Sequence, residues 1–224
     1  MTSLDQRFSR IRAALATAAC QRPVQLLAVS KTQPAAAVRA LAALGQRAFG
    51  ENYVQEAQAK QRELADLDLE WHLIGPLQSN KCREAATRFD WVQTIDREKL
   101  IPLLAKFRPT DKSVLNLLVQ VNIDDEASKS GCAPAEIDAL ADAIAAQPRL
   151  RLRGLMAIPR PTSDPARRRD AFRRMRELFE RTRARHWQVD TLSMGMSDDF
   201  VDAIAEGANL VRIGSALFGP RNTT

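Results

Sequence analysis

The sequence predicts an α/β fold, a single TIM-type (β/α)8 barrel with an extra N-terminal helix. Three observations lead there: strand-like and helix-like segments alternate along the whole chain, the strand candidates number eight, and those strands are apolar with little polar alternation. Alternation implies parallel strands joined by helical crossovers, continuous apolar strands suit a sheet covered on both faces, and eight such strands close a barrel. At 224 residues the chain sits at the compact end for this architecture. An open doubly wound sheet is the alternative, because periodicity does not show closure.

The opening helix, roughly 3–20, carries Leu4, Phe8, Ile11, Leu15 and Ala19 along one side. Strand candidates follow at 24–30 (VQLLAVS), 47–50, 70–74, 90–95, 114–121, 152–158, 189–194 and 209–213. Between them the pattern predicts helices at 34–44, 52–66, 78–88, 97–107, 134–146, 165–186 and 198–206, several with proline near the first helical position. The short PRPTSDP segment at 159–165 is the only loop-biased tract, so one domain spanning 1–224 is expected.

Composition narrows the function classes. No apolar run approaches the roughly 20 residues of a membrane span, and MTSLDQRFSR is charged where a signal peptide is apolar, so a cytoplasmic protein without membrane contact is expected. Cys20, Cys82 and Cys132 are widely separated and lack CxxC spacing, which predicts reduced thiols. With only His72 and His186, and no HxxxH or HxH pattern, no metal site is expected. A net charge of +6 admits anionic partners, but ten arginines lie between 160 and 185, interleaved with Phe172, Met175, Leu178 and Phe179 at helical spacing. They read as the outer face of a helix with no aromatic stacking platform, so no nucleic-acid partner is expected.

In a parallel barrel the chemistry sits after the C-terminal ends of the strands. The first strand ends in Ser30 and Lys31; an ammonium held between apolar walls is partly desolvated, which raises the fraction of neutral amine able to attack a carbonyl. Alone, Lys31 reads as a solvated strand end. The seventh strand ends in MGMS with Ser197 suited to cap the next helix, and the eighth ends in VRIGS with Gly214 and Ser215 opening a short last helix. Loops after strands seven and eight are the recurrent phosphate site of this architecture. Arg212 alternates with Val211 and Ile213, so its guanidinium points inward. An imine-forming lysine, a phosphate cradle and an arginine between them describe a pocket for pyridoxal 5′-phosphate. A cofactor-free Schiff-base aldolase acting on a sugar phosphate uses the same parts and stays open.

The chain resembles the pyridoxal phosphate homeostasis proteins in AVSKTQP (28–34), FGENYVQE (49–56), WHLIGPLQSNK (71–81), VNIDDEASKSG (121–131), GLMAI (154–158), LSMGMSDDF (192–200) and AIAEGANLVRIGSALFG (203–219). The resemblance implies a fold like the N-terminal barrel of alanine racemase. It also implies an internal aldimine on Lys31, a phosphate held by Ser197, Gly214 and Ser215, Arg212 facing the pyridine nitrogen, and Asn52, His72 and Met156 lining the pocket. Ser215 stands where the family often has threonine, which keeps the hydroxyl. The implied role is binding and buffering of the cofactor, with indirect effects on amino-acid and keto-acid pools; storage alone and delivery to pyridoxal-phosphate-dependent apoenzymes as partners both stay open. A permanent cation beside the pyridine nitrogen weakens the ring as an electron sink, and no second acid/base is evident. A binding protein rather than an enzyme is therefore expected; a weak pyridoxal-phosphate-dependent racemase is the alternative. The absence of an obvious apolar surface stripe points to a monomer.

Overall fold

Strand β8 (Leu210–Ile213) pairs in parallel with β1 (Gln25–Val29), Leu27 lying opposite Arg212, and this pairing closes the sheet. The computed structural model describes residues 3–126 and 130–219; residues 127–129 of the VNIDDEASKSG motif lie outside them. Between the two closing strands run β2 (Ala48–Glu51), β3 (Glu70–Leu73), β4 (Trp91–Ile95), β5 (Leu115–Val121), β6 (Leu150–Ala157) and β7 (Thr191–Ser193), in sequence order around a closed eight-stranded barrel. Closure excludes the open doubly wound sheet.

The extra helix α1 (Leu4–Ala19) begins with a capping box. Ser3 Oγ accepts from the Gln6 amide at 3.2 Å while Gln6 Oε1 accepts from the Ser3 amide at 3.0 Å, satisfying two amides that no helical turn reaches. Its stripe of Phe8, Ile11, Leu15 and Ala19 is buried, and it ends at the exposed Cys20 in the left-handed region. The crossovers are α2 (Ala35–Ala43), α3 (Val54–Glu63), α4 (Cys82–Arg88), α5 (Leu100–Phe107), α6 (Ile137–Ala145), α7 (Pro165–Arg185) and α8 (Phe200–Ala205), with a final turn, α9 (Ser215–Phe218). Short 3₁₀ turns precede α4 and α6, which is why the helical pattern predicted there starts earlier than the helices do.

The main core lies between strands and helices, with Phe49, Phe89 and Phe172 fully buried. Burying each such side chain contributes about 1.5–3 kcal/mol. Inside the barrel the apolar filling is split into two small clusters, Leu27 with Ala48 and Leu210, and Trp91 with Leu118 and Met156. Helix α7 buries Phe172, Met175 and Phe179 and turns its arginines outward into ion pairs: Arg168 and Arg169 with Asp202, Arg174 with Asp124, Arg176 with Glu206, Arg185 with Asp138. Most are exposed pairs that contribute little each, and they show a basic stretch whose charge is locally matched. The thiols of Cys82 and Cys132 are buried, which pushes them up to about 11 and about 12. No helix among the described residues is long and apolar enough to cross a membrane.

Candidate functional site

Lys31 follows β1 at the barrel mouth, and the peptide units around it are pinned from below. The Ser30 amide continues the ladder to Gly50 O at 3.0 Å. Ser30 Oγ donates to Glu51 Oε1 at 2.5 Å, and Lys60 Nζ, rising from α3, donates to Ser30 O at 2.6 Å. The same ammonium reaches Glu51 Oε1 and Glu56 Oε1, each at 2.8 Å, while Glu56 Oε1 accepts from the Thr32 amide at 2.5 Å. Thr32 adopts φ +65°, the left-handed turn that carries the chain from strand to loop. Burial pushes the Glu51 carboxyl above its ordinary value, and the hydrogen bond and charge of Lys60 oppose that.

Lys31 lines a cavity of about 240 Å³ together with Val29, Asn52, Ile74, Ile158, Met196, Ser197, Asp198, Arg212, Gly214 and Ser215. Asn52 follows β2, and its backbone is approached so closely by Gly75 that a β-carbon there would fall 2.1 Å from Asn52 O. On the far side, Gly195 has φ +92°, and a β-carbon would sit 2.6 Å from Ala203 Cβ, so the loop after β7 turns over α8 only with glycine at this point. The sequence pattern has Ser197 capping the helix that follows; the structure corrects this. Asp199 stands at the N-cap of α8 and takes the Met196 amide at 2.6 Å, because the helix starts two residues later than the pattern predicts. Ser197 instead faces the last turn: its Oγ lies 3.2 Å from Ser215 Oγ and accepts from the Ala216 amide at 3.4 Å. The two serine loops thereby meet at one place.

Arg212 projects inward from β8, 4 % exposed, donating through Nη1 to Ser193 Oγ at 2.7 Å and through Nη2 to Ala157 O at 2.8 Å. Burial lowers it to about 10, with Asp199 pulling the other way, so it stays charged at neutral pH. Lys31, Asn52, Ser197, Arg212, Gly214 and Ser215 are thus brought together. His72 and Met156 are not on the cavity wall. Both are fully buried one pleat deeper, and the residues two positions on, Ile74 and Ile158, form the wall at those strands. His72 stacks on Trp91 at 5.1 Å and bonds Glu70 Oε1 through Nε2 and Gln93 Nε2 through Nδ1, each at 2.8 Å.

Glu51, Glu56, Lys60, Gln93 and Ser193 escaped sequence reasoning. One signal was present for the first three, the Glu56–Lys60 spacing of four beside an already singled-out strand end.

The family model for the alanine racemase N-terminal domain matches residues 3–222. A pyridoxal phosphate homeostasis protein from Pseudomonas aeruginosa is 57% identical over 227 residues, covering 99% of this chain and 97% of that protein. The chain belongs to this family. Among solved structures, PipY of Synechococcus elongatus with PLP bound superposes with a TM-score of 0.86 at 39% identity, covering 97% of this chain and all (100%) of PipY. Alanine racemase from Corynebacterium glutamicum shares the fold at a TM-score of 0.66 and 21% identity, this chain covering 61% of that longer protein and 97% of itself being matched.

Proposed function

We propose that the chain is a pyridoxal 5′-phosphate-binding protein of intracellular cofactor homeostasis, holding the cofactor as a Schiff base on Lys31. The observation that carries the reading is the convergence of Lys31, Arg212 and the Ser197–Ser215 pair on one cavity. The donor set fits the group: an amine for the aldehyde, two hydroxyls and a glycine-lined turn for the phosphate, and a permanent cation for the ring nitrogen. In forming the link, the Lys31 amine adds to the aldehyde carbon and one water leaves. Ser197, Gly214 and Ser215 would take the phosphate and Arg212 would face the pyridine nitrogen, with Asn52 on the cavity wall beside Lys31. His72 and Met156 support that site from the layer beneath. Bound there, the cofactor supplies an electron sink, which the arginine weakens.

The role is buffering, with delivery to pyridoxal-phosphate-dependent apoenzymes and indirect effects on amino-acid and keto-acid pools, carried out by the whole barrel as one cytoplasmic, monomeric unit. Names of relatives and the PLP-bound PipY support cofactor handling over turnover. Borohydride reduction followed by peptide mass analysis is expected to find the cofactor on the Lys31 peptide; an unmodified Lys31 peptide from yellow, loaded protein sinks the reading. Turnover of any member of an amino-acid panel that vanishes in Lys31→Ala favours the racemase alternative.

A further inference from the structure

The two apolar clusters inside the barrel are accompanied by a row of polar side chains drawn from four strands. Arg212 Nη1 donates to Ser193 Oγ at 2.7 Å, Ser193 Oγ donates to Gln93 Oε1 at 2.7 Å, Gln93 Nε2 donates to His72 Nδ1 at 2.8 Å, and His72 Nε2 donates to Glu70 Oε1 at 2.8 Å. His72, Gln93 and Ser193 are completely buried, whereas Glu70, the first residue of β3, is 38% exposed in its side chain at the opposite end of the barrel from the cavity. Every bond runs in the same sense, from guanidinium to carboxylate. That sense is set by chemistry: arginine only donates and an ionised carboxylate only accepts, so the serine, amide and imidazole between them have one orientation that leaves nothing unpaired.

We infer that Ser193, Gln93 and His72 are positioning residues that form a relay through the barrel, coupling the Glu70–His72 end to the orientation of Arg212 in the cavity. A second proton on His72 turns Nδ1 from acceptor to donor, and Gln93 must then flip to offer its oxygen. Its amide nitrogen now faces Ser193, competing with Arg212 for the serine oxygen, and the serine proton loses its acceptor. The hold on Arg212 weakens. By linkage the effect is reciprocal: a ligand that engages Arg212 changes the proton affinity of His72.

The groups facing this end are few. Glu70 accepts on the same strand, Gln25 Nε2 from β1 bonds the Glu70 carboxylate at 3.0 Å, and Trp91 from β4 stacks on the imidazole. Arg153 from β6 lies 4.5 Å from the centre of the Trp91 ring, on the indole that the imidazole stacks against. Arg12 and Arg47 share with Glu70 a shallow cleft at that end.

The protein contains two histidines, so ¹⁵N imidazole spectra with His186→Gln as an assignment aid follow His72 directly. In the unloaded protein, Arg212→Gln is expected to move the His72 titration midpoint by about half a pH unit or more. The double variant Arg212→Gln/Ser193→Ala should add nothing to Ser193→Ala alone. Strict additivity, or a midpoint indifferent to Arg212, overturns the relay. A second arm rests on the proposed function: loading with pyridoxal phosphate shifts the His72 signals in the native chain and leaves them in place in Ser193→Ala. Failure to load at all counts against the cofactor reading, and the unloaded arm still decides the relay. Should Ser193→Ala fold poorly, Glu70→Gln at the exposed end is expected to displace the pH profile of the bound cofactor's visible band; an unchanged profile overturns the relay.

Discussion

The ammonium of Lys60 lies 2.6 Å from the carbonyl oxygen of Ser30, the oxygen of the peptide bond that Ser30 shares with Lys31. Lys60 is 5% exposed and Glu51 not at all, so two buried charges are committed to holding the backbone under the reactive side chain. Lys60→Met leaves Glu51 buried and unpaired and is expected to cost about 3 kcal/mol of stability in denaturant unfolding. It should also slow cofactor loading, because the turn at Thr32 loses its support. Adding Glu51→Gln should restore part of the stability; no recovery would mean that the loss comes from packing of the lysine stem.

The carboxyl of Glu70 is pulled down to about 2 from 4.5: burial alone would raise it, but the hydrogen bond and charge of His72, with the hydrogen bond from Gln25, outweigh burial. A group lowered on folding contributes stability that is complete above its unfolded value and lost as pH falls through the folded one. Stability is therefore expected to fall between pH 4.5 and about 2, and Glu70→Gln should flatten that part of the curve. Equal slopes for the two proteins in thermal melts across this window would refute the assignment.

Ser197 and Ser215 meet 3.2 Å apart at the cavity edge. If they hold a phosphate, Ser197→Ala and Ser215→Ala each weaken pyridoxal phosphate binding about 2- to 12-fold, the worth of one hydrogen bond of about 0.5–1.5 kcal/mol. Binding of dephosphorylated pyridoxal should not change. Parallel losses for both ligands in absorbance titrations would move the serines out of the phosphate role.

Gly75 leaves no room for a methyl group, since its β-carbon would fall 2.1 Å from Asn52 O and 2.7 Å from Asn52 Cα, both backbone atoms. Gly75→Ala is expected to destabilise by about 3 kcal/mol, the upper end of overpacking costs, and to displace Asn52 from the cavity wall. A melting temperature equal to that of the native chain rules this out.

The strands, their order and the six cavity residues were legible because they depend on period two and on the rule that parallel barrels act at the C-terminal strand ends. Depth along a strand was not. A run such as EWHLI tells which side chains share a face but not how many pleats separate each from the mouth, so His72 was expected one layer higher than it sits. The rows linking β3, β4, β7 and β8 depend on the stagger of the closed barrel, which no single strand encodes. Lys60 was hidden for another reason: on a polar helix such as α3 a lysine reads as solvated, and only the meeting of Glu51 and Glu56 beneath Lys31 makes its burial favourable. Ser197 was placed in the correct loop and given the wrong helix, because a capping serine and one facing a neighbouring turn have the same local sequence.

The single sense of the hydrogen bonds from Arg212 to Glu70 has a consequence for how this barrel can change over time. A glutamate at position 93 would set a carboxylate against Ser193 and His72 with no amide hydrogen to give, and an alanine at 193 would orphan a donor and an acceptor at once. Substitutions in the row are tolerated when they arrive together and penalised when they arrive singly, so these positions should vary as a block among descendants of this chain, while the apolar residues beside them drift one at a time.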